Sequence, residues 1–191
     1  MGTYANNFER APWVLCDDFV NLPLDQPPFA DIRGYTIDIE NVLTDGIDGD
    51  DPTVRPEAMV KLQEMDDLGL GMVLATNCKD PDFVEAVSAQ VNGLRPDPIE
   101  ALTSVQVGKS KTHAEPFLWA ANHLRLSSRH MAHIDDQVKS HIGAVRAGFG
   151  MRIWPMPWGE HEHPGVAKFR PAEMKVARNL VRLLPRTLIL E

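Results

Sequence analysis

The stretch Tyr35-Thr36-Ile37-Asp38-Ile39-Glu40-Asn41-Val42-Leu43-Thr44 decides the fold of this chain. Its first half is a run of residues typical of β-strands, and this run ends in two carboxylates, Asp38 and Glu40, that are two residues apart. The turn residues Asp45-Gly46 follow. In an extended chain, Asp38 and Glu40 would lie on the same side. Because burying unpaired carboxylates is costly, the pattern predicts a cation site or a proton-transfer site at the carboxyl end of a buried strand. A turn with solvated acids is the alternative.

The composition is typical of a globular protein: of 191 residues, 43% are hydrophobic and 24% are charged. This length predicts one domain, residues 34–191, after an extended lead-in, residues 1–33, that is rich in Pro, Asp and Asn. No apolar run approaches the roughly 20 residues of a membrane-spanning helix, and the start lacks the pattern of a signal peptide. Two cysteines, Cys16 and Cys78, form no disulfide framework. We therefore expect a cytoplasmic protein.

The net charge of −8 is unevenly distributed along the chain. Residues 1–100 carry 20 acidic and 6 basic side chains, whereas residues 101–191 carry 7 acidic and 13 basic ones. We favour a solvated surface as the explanation, and the alternative is a preference for cations on one side and phosphate groups on the other. Nucleic-acid binding is not indicated. The tail from Pro171 to Leu184 has the pattern of a basic amphipathic helix, for which we favour packing on the sheet over peripheral contact with an anionic membrane.

Strand and helix patterns alternate after the first strand, Tyr35–Ile39. We predict helices over Pro56–Leu68, Pro81–Val91, Phe117–Leu124 and Gln137–Ala147, and further strands over Met72–Ala75, Leu102–Val107, His130–Ile134 and Met151–Trp154. This order predicts a three-layer, doubly wound α/β fold with a mainly parallel sheet and a site at its carboxyl edge.

Polar residues follow three of the predicted strands. They are Asp38 and Glu40, then Thr76 and Asn77, then Asp135 and Asp136, and Lys111 lies before the helix that precedes the last pair. Gathered at one edge, they would supply a nucleophile, a proton donor, a hydroxyl, a cation and metal-ligating acids. Phosphoryl transfer needs that set, because catalysis there consists largely of positioning and of neutralising charge on phosphate oxygens.

In these residues the sequence resembles the haloacid dehalogenase (HAD) superfamily of phosphatases, whose first motif is Asp-x-Asp-x-Thr after a hydrophobic strand. That motif stands here as Asp38-Ile39-Glu40-Asn41-Val42, Thr76 matches the second motif, Lys111 the third and Asp135-Asp136 the fourth. Over most of the chain, the spacing is most similar to capless phosphatases that act on phosphatidylglycerophosphate. The departures from that group's pattern are Glu40 for Asp, Val42 for Thr, Asp135 for Gly, and His141 where a further Asp is frequent.

The resemblance implies a Mg²⁺-dependent phosphomonoesterase. Asp38 would attack phosphorus to form an aspartyl-phosphate, and Glu40 would act as general acid and base. Asp38, the Glu40 backbone carbonyl and Asp136 would hold Mg²⁺ with help from Asp135, while Thr76, Asn77 and Lys111 would hold the phosphoryl oxygens. A site without a cap domain suits a large or lipid phosphorylated substrate, or completion by a second copy of the chain. The alternative is a degenerate relative that serves as a binding or assembly module.

Four weaker signals have simpler explanations that we favour. Gly108-Lys109-Ser110 is half of a P-loop motif, although Lys109 is an alternative to Lys111 as the site lysine. Cys78 is interpreted as a partly buried structural thiol. The pair His161 and His163 suits a polar loop better than a zinc site. For Trp154 we favour core packing over a place at the site or a partner surface.

Overall fold

The computed structural model describes residues 12–45, 51–93, 95, 97–155, 175 and 187–190. Within them, the strands are β1 (Trp13–Cys16), β2 (Gly34–Ile37), β3 (Gly71–Thr76), β4 (Glu100–Thr103), β5 (Met131–Ile134), β6 (Met151–Pro155) and β7 (Thr187–Leu190). They form one sheet in the order β4-β3-β2-β5-β6-β1-β7, and every neighbouring pair is parallel. The site-bearing strands β2 and β5 are therefore adjacent at the centre of the sheet.

The helices in the same part of the chain are α1 (Pro56–Asp67), α2 (Pro81–Asn92), α3 (Ser104–Val107), α4 (Glu115–His123) and α5 (His141–Ala147). Short 3-10 turns cover Phe19–Asn21, Phe29–Asp31 and Ser128–His130. Two helices begin with proline at the first helical position, where the missing N–H costs nothing, and Asp80 caps α2 by accepting from the amide of Asp82 at 3.0 Å. Each helix crosses over the sheet between parallel strands, as parallel pairing requires.

The sheet has two unlike faces. On the first, which we call the apolar face, alternate strand residues such as Tyr35, Ile37, Leu74 and Ile134 pack against α1, α2 and the lead-in. On the second, which we call the polar face, the rings of Phe117 of α4 and His141 of α5 lie against that of His133, which stands in one row with Thr36 and Arg152. The predicted three-layer α/β fold is thus confirmed, with a fully parallel sheet.

The lead-in, predicted to be an extended segment, supplies a strand of the sheet. Its β1 lies between β6 and β7, where Val14 pairs with Ile153 and Leu188. The division of the chain at residue 33 stays a prediction.

Three predicted elements differ from the observed ones. Residues Ser104–Val107 form a helical turn instead of the end of a strand, because Thr103 and Gln106 make a reciprocal capping box. The helix predicted from Gln137 begins at His141, since the amide of Gln137 is held by Asp135 Oδ1 at 2.7 Å. The first strand ends at Ile37 rather than Ile39. The predictions for the pair His161 and His163 and for Pro171–Leu184 as a helix lie outside the described residues.

Of the helices in the described ranges, none combines the length and the apolar character that crossing a bilayer requires.

Candidate active site

Asp38 lies directly beyond the carboxyl end of β2 and is only 3% exposed. Its amide donates to the carbonyl of Ile134 at 2.9 Å, so the β2–β5 ladder continues as far as this residue. The chain then turns: the carbonyl of Ile39 accepts from the amides of Leu43 at 2.8 Å and Thr44 at 3.1 Å, and Asn41 has a φ of 57°. The prediction that Asp38 and Glu40 share one side of an extended chain is therefore wrong, because the backbone coils immediately after Asp38.

Lys111 connects two of the predicted acids. Its Nζ lies 2.6 Å from Asp38 Oδ1 and 2.6 Å from Asp135 Oδ2, and the lysine is buried. Its backbone amide donates to Asn77 Oδ1 at 3.0 Å, which fixes the segment before α4 against the end of β3. Lys109 is exposed, whereas Lys111 is the lysine that contacts Asp38 and Asp135.

Three buried carboxylates meet at this edge of the sheet. Asp38, Asp135 and Asp136 each offer an oxygen, and these oxygens all lie within 4.8 Å of one another. We call this group the acid cluster. Asp135 follows β5 directly, and the backbone carbonyl of Asp136 accepts from Trp154 Nε1 at 2.8 Å. Trp154 is fully buried, so the predicted core residue also supports the site.

The acid cluster and Lys111 strongly perturb one another. Burial and the neighbouring charge of Asp135 raise the pKa of Asp38 well above its usual range, although Lys111 opposes them. Burial also works to raise the pKa of Asp135, but Lys111 and His133 outweigh it and hold that pKa below its usual range. Burial alone would lower the pKa of Lys111, yet Asp135 and Asp38 raise it above its ordinary value. Lys111 is therefore charged, and its ammonium is shared between Asp38 and Asp135, two of the three carboxyl groups of the cluster.

Glu40 and Thr76 contact each other. The hydroxyl of Thr76 donates to Glu40 Oε2 at 3.3 Å and accepts from the amide of Cys78 at 2.9 Å. Glu40 is half-buried, and its carboxylate is not one of the three in the acid cluster. Cys78 is buried, as predicted for a structural thiol. The geometry thus places a carboxyl and a hydroxyl beside the cluster, at the ends of neighbouring strands.

An ion pair from the lead-in holds the turn that follows Asp38. Arg55 binds both carboxylate oxygens of Asp18, at 2.5 and 3.0 Å, and donates to the carbonyl of Val42 at 2.6 Å. The Val42 side chain is buried in the apolar core, where the family pattern has a threonine. Sequence reasoning did not identify this pair, because Asp18 and Arg55 are far apart in the chain and belong to no motif.

A second group that sequence reasoning missed lies beneath the acid cluster on the polar face. Thr36 and His133 pair across β2 and β5, and His133 pairs with Arg152 across β5 and β6. His141 of α5 places its ring 5.0 Å from that of His133, and its Nε2 lies 3.0 Å from the carbonyl of Asp135. Burial lowers the pKa of His141 to about 3 and that of Arg152 to about 10. The available signal was a polar residue inside each of three apolar strands.

The donor set of the acid cluster fits Mg²⁺. Carboxylate oxygens are the ligands that Mg²⁺ prefers, and a magnesium site needs only one or two protein carboxylates because the ion retains several waters. Burial and then the charge of Asp135 raise the pKa of Asp38, and a divalent cation beside it would favour its ionised form. Asp135 already accepts from Lys111 and the amide of Gln137, and its Oδ2 lies 3.3 Å from His133 Nε2, so Asp38 and Asp136 are the better-placed ligands.

No family model and no curated protein matches this sequence. Among solved structures, the chain is similar to an uncharacterized protein from Corynebacterium glutamicum, at 21% identity with a TM-score of 0.50, over 76% of this chain and 93% of that one. It is also similar to a HAD family hydrolase from Deinococcus radiodurans with bound phosphate and sodium, at 20% identity and a TM-score of 0.48, over 69% of this chain and 62% of that one.

A third similar structure is a HAD-superfamily hydrolase, subfamily IA, from Geobacter sulfurreducens, at 13% identity and a TM-score of 0.47, over 64% of this chain and 91% of that one. At these identities the likeness is one of fold. The chain therefore shares its α/β fold with the Corynebacterium protein, and HAD-family hydrolases are among the other solved structures to which it is similar.

Proposed function

We propose that this chain is a capless, HAD-type, Mg²⁺-dependent phosphomonoester hydrolase that acts through an aspartyl-phosphate on Asp38. The observation that supports this most is the convergence of a strand-end carboxylate, a buried lysine and two further carboxylates in one cluster. A structural ion pair would need only one acid for Lys111. Three acids around one lysine offer oxygen ligands beyond those that the ion pair uses, which suits a metal ion and then a phosphoryl group.

Asp38 is oriented for attack by the groups that hold its other oxygen. Oδ1 accepts from Lys111 Nζ at 2.6 Å and from the amide of Ile39 at 2.9 Å. These two contacts of Oδ1 leave Oδ2 as the oxygen that would form the bond to phosphorus, while the bond from phosphorus to the ester oxygen breaks. Lys111 also counters the tendency of burial to protonate Asp38, and an attacking carboxylate must be ionised.

Asp38 and Asp136 would hold Mg²⁺, which when bound supplies positive charge against the phosphoryl oxygens. Asp135 would act mainly through Lys111, whose ammonium it holds at 2.6 Å. Asn77 uses Oδ1 to hold the Lys111 amide, so its side-chain nitrogen is the donor that it would present to a phosphoryl oxygen.

Glu40 would donate a proton to the leaving oxygen and later accept one from the attacking water. Its half-buried carboxyl lies 3.3 Å from Thr76 Oγ1, and that hydroxyl would turn from Glu40 toward a bound phosphoryl group. Glutamate at this position extends one methylene further than the aspartate of the family pattern. The same hydrogen bond is the observation that favours the second candidate function, a binding module, because it engages the acid and the hydroxyl with each other.

The test is release of inorganic phosphate from a panel of phosphomonoesters with either Mg²⁺ or EDTA. The panel includes phosphatidylglycerophosphate in mixed micelles, sugar phosphates and nucleotides, so that a lipid substrate is distinguished from a small one. Asp38→Asn should reduce turnover to background. Asp45→Asn is the matched control, since it makes the same chemical change in a residue with a largely exposed side chain and should keep most of the activity.

Metal-dependent turnover that is lost in Asp38→Asn and kept in Asp45→Asn would support the phosphatase. Turnover in wild type that equals the Asp38→Asn background on every substrate would overturn it and favour the binding module.

A further inference from the structure

Thr36 and His133 form a hydrogen-bonded pair inside the sheet, next to the acid cluster on the same face. They lie opposite each other on β2 and β5, two residues before Asp38 and Asp135, and both are fully buried. His133 Nδ1 lies 2.9 Å from Thr36 Oγ1, and His133 Nε2 lies 3.3 Å from Asp135 Oδ2. The ring therefore spans the distance between a hydroxyl and a carboxylate of the site.

These contacts select one tautomer of the ring. A neutral imidazole carries one N–H, and its other nitrogen is an acceptor. With the proton on Nε2, the ring donates to Asp135 and accepts from the Thr36 hydroxyl. With the proton on Nδ1, the ring would donate to the carbonyl of Thr36, 3.3 Å away, but the Nε2 lone pair would then face a carboxylate oxygen. In the first arrangement the Nε2 proton faces a carboxylate oxygen 3.3 Å away, and the Thr36 hydroxyl, which also lies 3.4 Å from the carbonyl of Ala132, can donate to Nδ1.

The Nε2–H tautomer gives Asp135 a third donor. Its Oδ2 would accept from His133 and from Lys111 Nζ, while Oδ1 accepts from the amide of Gln137 at 2.7 Å. A carboxylate held by three donors has a fixed position, and it in turn fixes the ammonium of Lys111 beside Asp38 Oδ1. The contacts thus run in one series from Thr36 to the proposed nucleophile.

We infer that Thr36 and His133 are positioning residues: Thr36 keeps His133 in the Nε2–H form, and His133 holds Asp135 so that Asp135 sets the position of Lys111. The consequence for turnover rests on the proposed function. The tautomer itself does not, because it follows from the contacts of Thr36 and Asp135 alone.

The first test needs no measurement of activity. Long-range ¹H–¹⁵N correlation spectra of the full chain, with the His133 ring assigned through its backbone, report which ring nitrogen carries the proton. We expect Nε2–H in wild type. In Thr36→Val, which removes the hydroxyl at nearly equal volume, we expect a shift toward Nδ1–H. An Nδ1–H ring in wild type overturns the inference, whether or not the chain hydrolyses phosphate esters.

The second test is a rescue by a matched pair of variants. The amide nitrogen of Gln in His133→Gln reaches the position of Nε2 and can donate to Asp135, whereas that of Asn in His133→Asn lies near Nδ1 and cannot. On the substrate identified by the panel, we expect kcat to fall about tenfold in His133→Asn, the value of one net hydrogen bond, and to stay within about twofold of wild type in His133→Gln.

Equal loss of kcat in both variants overturns the catalytic part of the inference, since a purely structural ring would not distinguish them. Absence of turnover in wild type is a failure of the proposed function instead, and the tautomer then decides the inference.

Discussion

The two faces of the sheet are built from the same strands but are stabilised by different interactions. On the apolar face, alternate residues such as Ile37, Leu74 and Ile134 pack against α1 and α2, and their stabilisation grows with the apolar area removed from water. On the polar face, Thr36, His133 and Arg152 form one row across β2, β5 and β6, beneath α4 and α5. Buried polar groups stabilise a fold only when each has its partner.

This contrast explains where the site lies. Side chains alternate along a strand, so the residues two positions beyond Thr36 and His133 belong to the same face. Those residues are Asp38 and Asp135, at the carboxyl edge. On the polar face, the acid cluster thus lies next to further buried polar groups. We therefore expect the stability of this face to be sensitive to the loss of single partners. The apolar face should tolerate volume-conserving changes and lose stability chiefly through cavities.

The largest effect should come from removing the positive charge of the polar face. Lys111→Met leaves Asp38 and Asp135 buried beside each other without their shared partner, and breaking a buried pair in this way costs about 3–5 kcal/mol. The measurement is the free energy of unfolding from urea titrations in EDTA. Saturating Mg²⁺ should restore more stability to Lys111→Met than to wild type, because the variant cluster carries one more uncompensated negative charge.

Lys61→Met is the matched control for that prediction. Lys61 is also buried, but it contacts Glu64, whose side chain is 46% exposed, and the carbonyl of Leu22. Its loss should cost about 1–2 kcal/mol, since only one neutral acceptor is left buried and Glu64 returns to water. Mg²⁺ should not restore that stability. Equal destabilisation by the two substitutions would contradict the distinction between the faces.

A smaller effect should follow from adding one methyl group under the site. A Cβ on Gly143 of α5 would overlap the carbonyl oxygens of Lys111 and His113 and the ring of Phe117. Because two of these neighbours are backbone atoms, Gly143→Ala should push α5 away from the Lys111 segment and cost about 1–3 kcal/mol. We expect phosphatase activity to fall together with stability, as measured by phosphate release and urea unfolding of the same preparations.

Gly69→Ala separates that effect from the general cost of replacing glycine. Gly69 has a φ of 68°, and its Cβ would have no neighbour within 4 Å, so the cost is backbone strain of about 1–2 kcal/mol. Activity should be unchanged, because the residue follows α1 at the opposite end from the site. If both alanine variants kept full activity, the close packing of Gly143 would have no role in positioning Lys111.

The same contrast explains what the sequence could predict. The elements that form the apolar face can be predicted from local sequence patterns. The helical spacing of apolar residues in α1 and the short apolar strands are enough to predict the alternation of elements and the parallel sheet. The site acids were identified because strand ends are local features too. The pairing of Glu40 with Thr76, by contrast, depends on the turn at Asn41, whose φ of 57° no pattern in the sequence indicated.

The polar row could not be predicted for a similar reason. Thr36, His133 and Arg152 are far apart in the chain, and only strand order and register make them neighbours. His141 was identified only as a departure from the family pattern, although its ring packs against Trp13 of the lead-in strand, with centroids 5.0 Å apart. Local propensity sets the elements, whereas these contacts are set by topology.

The smallest predicted effect concerns a titratable group on the apolar face, Cys16, which lies at the end of β1 and pairs with Pro155 and Leu190. Burial, with smaller effects from the charges of Asp18 and Asp17, raises the pKa of its thiol to about 12 from an ordinary value of 9.0. The folded state therefore keeps this proton at pH values where the unfolded state releases it. The contribution to stability is complete below pH 9 and is lost as the pH rises toward 12.

Between pH 8 and pH 9.5, linkage gives a loss of about 0.8 kcal/mol from Cys16. The measurement is the difference in free energy of unfolding between wild type and Cys16→Ala at the two pH values, in reducing buffer, since other groups that titrate there cancel in the difference. Wild type should lose about 0.8 kcal/mol more than the variant over this interval. A pH-independent difference would mean that the thiol reaches water in the folded state, and the apolar face would then be less completely closed at β1 than its packing indicates.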